Sequence, residues 1–245
     1  MNDQTKFKEQ VALVTGANRG IGFETARELG ELGIRVVLGS RDLAQGHKAA
    51  ALLTSRGLAA EAIQLDVTAP ADHQRALGWL SERYGKLDIL VNNAGILVRD
   101  SKSINLSEDL RRVFETNFFG TVELTQVLLP LVRKSPAGRI VNVSSIVGSL
   151  TLHSDPQSRI YHSKIFSYDA SKSALNAFTV HLAYDLRDTN IKVNSADPGW
   201  VKTEMGGERA LVELSEGGKT SARLATLPPD GPNGGYFRLD EAFPW

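Results

Sequence analysis

The sequence predicts one α/β domain in which a doubly wound, mostly parallel sheet carries helices on both faces. Short apolar runs alternate with longer amphipathic segments along the chain, which is the pattern of buried parallel strands joined by helical crossovers. The 245 residues are enough to bury a large core, and sheets of this size commonly form a single domain. We therefore expect one domain over residues 1–245, with a short N-terminal tail over residues 1–8.

The apolar runs predict the strands in order. Seven runs qualify, namely 11–15, 35–40, 60–67, 87–93, 139–145, 191–198 and 235–240. The amphipathic segments between them predict helices around 21–30, 42–57, 70–85, 107–134 and 166–188. Each interval between strands is long enough for a right-handed helical crossover. The segment 228–235, rich in proline and glycine, is predicted to be a loop because it leads directly into the last strand.

Composition and charge exclude several classes of function. Lys plus Arg and Asp plus Glu both number 28, so no excess positive charge is available to bind nucleic acid. The chain has no cysteine, which excludes disulfides and thiolate nucleophiles, and its five histidines show no metal-ligand spacing. There is no signal-peptide pattern and no apolar run of about 18 residues. We therefore expect a cytoplasmic protein with no metal, membrane or nucleic-acid partner.

Three glycines in the segment TGANRGIG predict a dinucleotide site at the end of the first strand. Gly16, Gly20 and Gly22 allow a tight turn, close approach of a pyrophosphate to the main chain, and close packing of the next helix. The N-terminus of that helix then offers free N–H groups to the phosphates. The spacing Gly-x-x-x-Gly-x-Gly departs from the fingerprint Gly-x-Gly-x-x-Gly, and a glycine-rich turn without a ligand is the alternative.

The end of the second strand favours NADP(H) over NAD(H). A carboxylate here would bind the ribose hydroxyls of NAD, whereas an arginine accommodates the additional phosphate of NADP. This strand ends in Ser40-Arg41, and Arg19 in the glycine loop offers a second positive charge. The alternative is that both arginines are only solvated and that Asp42 binds the ribose of NAD.

Tyr168 and Lys172 are four positions apart in a predicted helix and therefore share one face. A tyrosine that exchanges a proton at neutral pH needs its pKa lowered by about 3 units, or about 4 kcal/mol. A cation ~4 Å away at an effective dielectric near 20 supplies roughly that amount. Taken alone, the pair is more typical of an ordinary aromatic and a solvated lysine on a helix than of a catalytic site.

Six motifs occur in a fixed order along the chain. They are TGANRGIG at 15–22, NNAG at 92–95, TNFFGT at 116–121, the serine pair 144–145, YDASK at 168–172 and PGWVKTEM at 198–205. Together they resemble the short-chain dehydrogenase/reductase family over residues 9–240. TNFFGT, Ser40-Arg41 and PGWVKTEM resemble its NADPH-dependent carbonyl reductase branch in particular. The resemblance implies a Rossmann-type sheet of about seven mostly parallel strands in the order 3-2-1-4-5-6-7.

The resemblance also implies four catalytic residues. Tyr168 would protonate the carbonyl oxygen during reduction, or accept the proton in the reverse direction. Lys172 would lower the pKa of Tyr168 and bind the nicotinamide ribose. Ser145, which begins Ser-Ile-Val-Gly, would polarise the substrate oxygen, with Ser144 as the fallback. Asn117 would hold a water molecule in a proton relay from Lys172 to solvent.

A larger set of positions would contact the cofactor. Asp66 and Val67 would meet the adenine, residues 93–95 would pack beside its ribose, and Thr203 with the backbone of Val201 would hold the carboxamide. Asn92 would mostly steady the sheet. The full implied set is Gly16, Asn18, Arg19, Gly20, Ile21, Gly22, Ser40, Arg41, Asp66, Val67, Asn93, Ala94, Gly95, Tyr168, Lys172, Pro198, Gly199, Val201 and Thr203.

The chain departs from the family between Ser145 and Tyr168, where the interval is longer than usual. We interpret 152–163 (LHSDPQSRIYHS) as an insertion that covers the substrate pocket, obstructs the family's helix-pair dimerisation, or is only a surface loop. Tyr161 and Lys164 in this interval form a second tyrosine–lysine pair, which we interpret as loop or pocket residues. Trp200 and 204–222 fall where the family has a mobile substrate lid, here about 200–225, and a plain loop with a core tryptophan is the alternative.

The function implied is the NADPH-dependent reduction of a ketone or aldehyde to an alcohol, by reversible hydride transfer. An NAD-linked alcohol dehydrogenase of the same family is one alternative, and a non-catalytic NADP-binding redox sensor is another. The expected partner is a small carbonyl or alcohol substrate, and the expected assembly is a monomer or a homodimer. The substrate itself is not predicted, because the loops that would form its pocket carry no motif.

Overall fold

A computed structural model describes residues 7, 9–98 and 108–245. Its strands form one sheet in the order β3-β2-β1-β4-β5-β6-β7-β8. The strands are β1 (Val11–Thr15), β2 (Arg35–Ser40), β3 (Ala60–Gln64), β4 (Ile89–Asn92), β5 (Arg139–Val143), β6 (Lys192–Ala196), β7 (Tyr236–Arg238) and β8 (Glu241–Ala242). The predicted fold class and the predicted order of the first seven strands are confirmed. All but the pairing of β7 with β8 is parallel.

The helices cover both faces of this sheet. They are α1 (Gly20–Glu31), α2 (Leu43–Thr54), α3 (Pro70–Tyr84), α4 (Glu108–Phe114), α5 (Gly120–Val132), α6 (Leu150–Ser154), α7 (Phe166–Asp185) and α8 (Lys219–Ala225). The single helix predicted over 107–134 is divided by a π-helical turn, Glu115–Phe119. Of the predicted tail 1–8, only Phe7 belongs to the described residues. No helix in the described ranges is both long and apolar enough to cross a lipid bilayer.

Two apolar clusters, one on each face, bury the central strands of the sheet. In β1, Ala12 and Val14 pack into the cluster formed with α1, α2 and α8, whereas Val11 and Leu13 pack into the cluster formed with α3, α5 and α7. Successive side chains of a strand point to opposite faces, so a strand buried on both faces is apolar throughout. This arrangement explains why the strands were readable as continuous apolar runs.

A row of buried polar side chains crosses three of the central strands. Asn92 Nδ2 donates to Asn142 Oδ1 at 2.8 Å, and Asn142 Nδ2 donates to Thr179 Oγ1 at 2.8 Å. The Thr179 hydroxyl is in turn hydrogen-bonded to the Ser195 hydroxyl at 2.8 Å. Buried polar groups are stable only when paired, so this row fixes β4, β5 and β6 relative to α7.

The chain returns after β7 in a hairpin that the sequence did not predict. Phe237 pairs with Ala242 in the antiparallel β7–β8 ladder, and the Trp245 ring stacks on Tyr236 with centroids 5.6 Å apart. The Trp245 carbonyl accepts a hydrogen bond from Thr151 N at 2.9 Å. Residues 241–245 therefore attach the start of the predicted insertion to the edge of the sheet.

Candidate active site

The glycine loop has the geometry of a phosphate cradle. Gly16 and Gly20 have φ of +63° and +62°, a region that residues with a Cβ rarely adopt. A Cβ on Gly22 would lie 2.4 Å from Asn93 Nδ2, whereas a Cβ on Gly20 would meet no atom closer than 3.9 Å. The bare backbone at Gly20 therefore faces open space, and Arg19, the N-cap residue of α1, makes no side-chain capping bond. The first N–H groups of α1 fit a dinucleotide pyrophosphate.

The end of β4 holds this loop in place. Asn93 Nδ2 donates to the Thr15 carbonyl at 2.7 Å, and the Thr15 hydroxyl accepts the N–H groups of Asn93 and Ala94, both at 2.9 Å. The side chain of Asn93 thus binds the glycine loop itself. Gly95 leaves room between two other site residues, because a Cβ there would lie 3.3 Å from Asn117 Oδ1 and 3.6 Å from Lys172 Nζ.

The carboxyl end of β2 presents an exposed cation. The Ser40 hydroxyl is buried and donates to the carbonyl of Asp42 at 2.7 Å, while Arg41 is exposed. The Asp42 carboxylate caps α2 by accepting Gln45 N at 3.1 Å, so it already has a structural role. Arg19, the other predicted phosphate ligand, forms an exposed ion pair with Glu204.

The predicted adenine contacts lie in the turn after β3. Asp66 Oδ1 accepts two hydrogen bonds from Thr68, one from N at 2.9 Å and one from Oγ1 at 2.8 Å. The Val67 side chain is buried, and its carbonyl accepts His73 Nε2 at 2.8 Å. Gly120 permits this arrangement, because a Cβ there would be 2.1 Å from the Val67 carbonyl oxygen.

Asn117 lies in the π-helical turn and is completely buried. Its Oδ1 accepts Ile96 N at 2.8 Å, and its Nδ2 donates to the Ile96 carbonyl at 2.9 Å and to Ser171 Oγ at 3.0 Å. The side-chain amide therefore joins the segment after β4 to α7. A π-turn widens the backbone locally and is frequent at functional sites.

Ser145 and Tyr168 meet over the carboxyl edge of the sheet. Ser145 is the second residue after β5, and its hydroxyl lies beside the phenol of Tyr168, which lies in the first turn of α7. The Tyr168 side chain is half-buried, and this burial raises the pKa of its phenol, with a further increase from the nearby charge of Asp197. The phenol is therefore protonated in the cofactor-free protein.

Lys172 lies one helical turn beyond Tyr168. Its Nζ donates to the carbonyl of Val143 at 2.7 Å and lies 5.6 Å from the centroid of the Tyr168 ring. The side chain is 4% exposed, and this burial lowers the pKa of the ammonium to about 8. The sequence led us to expect that Lys172 lowers the pKa of Tyr168. In this structure burial outweighs any such effect, because desolvation disfavours the charged form of both groups.

The segment after β6 forms the other wall of the cleft. Gly199, after Pro198, has φ of +82°, and the buried Val201 bridges to Val212. Thr203 faces the glycine loop, since its Cγ2 is the atom nearest to a Cβ built on Gly20. Asn18 and Ile21 are half-buried on the loop side of the cleft. The predicted lid is shorter than 200–225 as an exposed segment, because 219–225 form α8 and pack into the core.

The predicted insertion forms α6 and an irregular loop. α6 packs against the 3-10 turn Ile146–Gly148, and His153 Nε2 donates to the carbonyl of Val147 at 2.8 Å. Lys164 Nζ lies 5.0 Å from the Tyr161 ring and donates to the His153 carbonyl at 2.8 Å. The second tyrosine–lysine pair is therefore engaged within the loop and with His153.

Ser144, the fallback to Ser145, is buried in the sheet edge instead of facing the cleft. Its N–H donates to the carbonyl of Ala196 at 2.8 Å, and its hydroxyl lies beside that of Tyr236. Two residues near the site were missed by the sequence reasoning, namely Asp197 and Tyr236. Asp197 had a visible signal, since it is a carboxylate at the end of an otherwise uncharged stretch, VNSAD.

The strand order and the glycine cradle define a Rossmann-type dinucleotide-binding protein. Residues 10–211 match the family described as short chain dehydrogenase, and the chain belongs to that family. NADPH carbonyl reductase 1 of Rattus norvegicus is 34% identical, over 96% of this chain and 98% of its own. Both the predicted family and the resemblance to its carbonyl reductase branch are confirmed.

Solved structures give the same assignment. An NADPH-bound carbonyl reductase from chicken fatty liver superposes with a TM-score of 0.84 at 30% identity, covering 98% of this chain and 100% of its own. Salutaridine reductase from Papaver somniferum superposes with a TM-score of 0.79 at 31% identity, covering 94% of this chain and 99% of its own. The chain therefore spans the full length of these relatives.

Proposed function

We propose that this protein is an NADPH-dependent carbonyl reductase that converts a ketone or aldehyde to an alcohol, with Tyr168 as the proton donor. The observation that carries the proposal is the position of the Ser145 hydroxyl beside the Tyr168 phenol, one helical turn from the buried Lys172, whose ammonium lies 5.6 Å from the Tyr168 ring. The likeness to relatives named as NADPH carbonyl reductases supports both the cofactor and the reaction class.

The residues divide the proton chemistry between them. Ser145 donates a hydrogen bond to the substrate oxygen and polarises the carbonyl. Tyr168 gives its phenolic proton to the same oxygen as negative charge develops there, and it takes the proton back in the reverse direction. Bound in its cleft, the cofactor supplies a hydride to the carbonyl carbon. Lys172 stabilises the phenolate that remains, because its ammonium is close and poorly solvated.

In this scheme the role of Asn117 is to maintain the path by which a proton returns to Tyr168. Its side-chain amide is fully engaged by Ile96 and Ser171, so a relay water would bind at a main-chain group of the π-turn. Such a water would return a proton to Tyr168 by way of Lys172.

The preference for NADPH follows from the free cation after β2. Arg41 is exposed, and within the described residues it makes no ion pair. Arg41 and Arg19 would bind the 2′-phosphate through charge-assisted hydrogen bonds. Asp42 is engaged as the cap of α2, which argues against its use on the ribose of NAD. A cytoplasmic location and a monomeric or homodimeric state stay predictions.

The direct test is NADPH consumption with a panel of ketones and aldehydes. We expect turnover with at least one carbonyl, and a loss of 10²-fold or more in kcat for Tyr168→Phe with little change in the Kd for NADPH. Arg41→Ala should raise KM for NADPH and leave KM for NADH unchanged. No turnover with any carbonyl, or a Tyr168→Phe variant that retains most of its kcat, would contradict the proposal.

A further inference from the structure

A buried carboxylate lies directly behind the Ser145–Tyr168 pair. Asp197 follows β6 and is only 1% exposed. Its Oδ1 accepts the backbone N–H of Ile146 at 2.9 Å, and its own N–H donates to the carbonyl of Phe237 at 2.8 Å. Ile146 is the residue after Ser145, so the carboxylate holds the main chain next to the hydroxyl that meets Tyr168.

Two arginines face this carboxylate from separate segments. Arg238 comes from β7, and Arg159 comes from the insertion. The Nη2 of Arg238 lies 2.8 Å from where a Cβ of Gly199 would be, so its guanidinium packs on that glycine. The guanidinium carbon of Arg159 lies 5.8 Å from the centroid of the Phe243 ring. Burial raises the pKa of Asp197, whereas the hydrogen bond from Ile146 N–H and the charges of both arginines act in the opposite direction.

We propose that Asp197 is a positioning residue for the reaction. Its carboxylate fixes the main chain that carries Ser145 by accepting the N–H of Ile146. Asp197 would act on the carbonyl reduction proposed above, on which this role rests.

The main chain around Ser145 is held by α6, by α7 and by Asp197. The main chain of 145–148 leaves β5 and makes a single 3-10 turn, in which Gly148 N donates to the Ser145 carbonyl at 2.7 Å. The bond from Ile146 N to Asp197 is the contact that ties this turn to the next strand. Small displacements of a catalytic group reduce turnover strongly, because the reacting atoms must be aligned. Loss of this bond should therefore lower kcat more than it weakens cofactor binding.

The charge of Asp197 has a second consequence. Five polar groups lie around Tyr168, whose burial is the largest influence on its pKa: Asp197 after β6, Asp169 and Lys172 on α7, Ser145 after β5, and Tyr236 on β7. The charges of Asp197 and Asp169 raise the pKa of Tyr168, and the Ser145 hydrogen bond lowers it. A protonated phenol is the form that carbonyl reduction uses. Removing the charge of Asp197 should therefore favour the phenolate that alcohol oxidation uses.

Two substitutions distinguish the effect of the hydrogen bond that Asp197 accepts from the effect of its charge. Asp197→Asn keeps an oxygen that can accept Ile146 N–H but loses the charge, whereas Asp197→Ala loses both. Asp188→Asn is the matched control, because this side chain is 86% exposed on the loop after α7. For each protein we would measure kcat and KM for reduction, the Kd for NADPH, the pH profile of alcohol oxidation, and the exchange rate of the Ile146 amide proton.

The expected pattern distinguishes positioning from a purely structural role. Asp197→Ala should lower kcat for reduction at least tenfold with the Kd for NADPH within about twofold, and should speed exchange of the Ile146 amide about tenfold or more. Asp197→Asn should retain most of that protection and most of the kcat. Its midpoint for alcohol oxidation should move to lower pH by about half a unit to one unit. Asp188→Asn should match the wild type throughout.

The positioning role of Asp197, the effect of its charge and the proposed function each have a separate contradicting result. Wild-type kcat in Asp197→Ala would overturn the positioning role, and so would an unchanged Ile146 exchange rate. An unchanged pH midpoint in Asp197→Asn would overturn the effect of the charge. A wild type that reduces no carbonyl would contradict the proposed function instead, and the Ile146 exchange rate would still decide whether Asp197 holds this turn.

Discussion

Lys172→Met should make the cofactor-free protein more stable at neutral pH while abolishing its activity. Lys172 is 4% exposed, and the one hydrogen bond that its ammonium makes within the described structure is to the carbonyl of Val143. A methionine of similar length fills the same volume without a charge, and buried charges are costly unless they are paired.

The magnitude follows from the shift in pKa. Burial lowers the pKa of Lys172 from 10.5 to about 8, which corresponds to about 3 kcal/mol of unfavourable free energy when the group is charged. Removing the ammonium also leaves the Val143 carbonyl without its partner, at a cost of about 1–2 kcal/mol. We therefore expect the free energy of unfolding to rise by about 1–2 kcal/mol at pH 7.

The sign of the pH dependence follows from the direction of the shift. The folded protein releases its proton from Lys172 near pH 8, whereas the unfolded chain releases it near 10.5. Between these values the unfolded state binds more protons, so the stability of the wild type rises with pH. The variant lacks this titration. Between pH 7 and pH 10, the free energy of unfolding of the wild type should therefore rise by about 2.5 kcal/mol relative to that of the variant. The wild type should then be the more stable of the two proteins at pH 10.

Urea unfolding at pH 7, 8, 9 and 10 measures this difference directly. Lys48→Met is the control, because Lys48 is exposed on α2 and its replacement should change stability by less than about 0.5 kcal/mol. If Lys172→Met is less stable than the wild type at pH 7, or if the difference does not change with pH, the energetic account of this buried ammonium is wrong.

Three further substitutions test other parts of the structure. Gly22→Ala should weaken NADPH binding at least tenfold and lower stability by about 1–3 kcal/mol, measured by fluorescence titration and urea unfolding, because its Cβ would lie 2.6 Å from the Gly16 carbonyl oxygen. Asn142→Leu should destabilise the fold by about 2–4 kcal/mol in urea, since the buried polar row loses its centre. Glu204→Gln should tighten the Kd for NADPH about twofold to fivefold without changing that for NADH, because Arg19 is released from its ion pair.

Each of these predictions has a contradicting result. Wild-type NADPH affinity in Gly22→Ala would mean that the loop does not approach the cofactor. Full stability in Asn142→Leu would mean that the polar row adds nothing over an apolar core. Equal tightening of NADPH and NADH in Glu204→Gln would mean that Arg19 does not bind the additional phosphate.

Much of the fold was predictable because its signals are local. The bounds predicted for β1 and β2 match the structure, since both strands are buried on each face and end at glycine or charged residues. Predicted strands over 60–67, 139–145 and 191–198 end two or three residues earlier. The residues beyond each of these strand ends are buried or half-buried, and they line the cleft. A hydrophobic run therefore predicts which residues are buried more reliably than it predicts where a hydrogen-bonded strand ends.

The π-turn and the C-terminal hairpin were not predictable in the same way. TNFFGT continues the apolar pattern of a helix, and nothing local marks the extra residue per turn around Asn117. β8 has only two residues, too few for a period to be recognised. Its place is set by contacts with distant residues, such as that of Trp245 with Thr151.

The sequence by itself determined the fold class, the glycine cradle and the pairing of Tyr168 with Lys172, because each depends on neighbours within one strand, turn or helix. Only the tertiary structure placed Asp197 behind Ser145 and Arg19 against Glu204, which are contacts between segments 51 or more residues apart. Backbone conformation is set largely by local residues. The charges and hydrogen bonds that surround a catalytic group are set by which segments pack together, and no spacing along the chain records that.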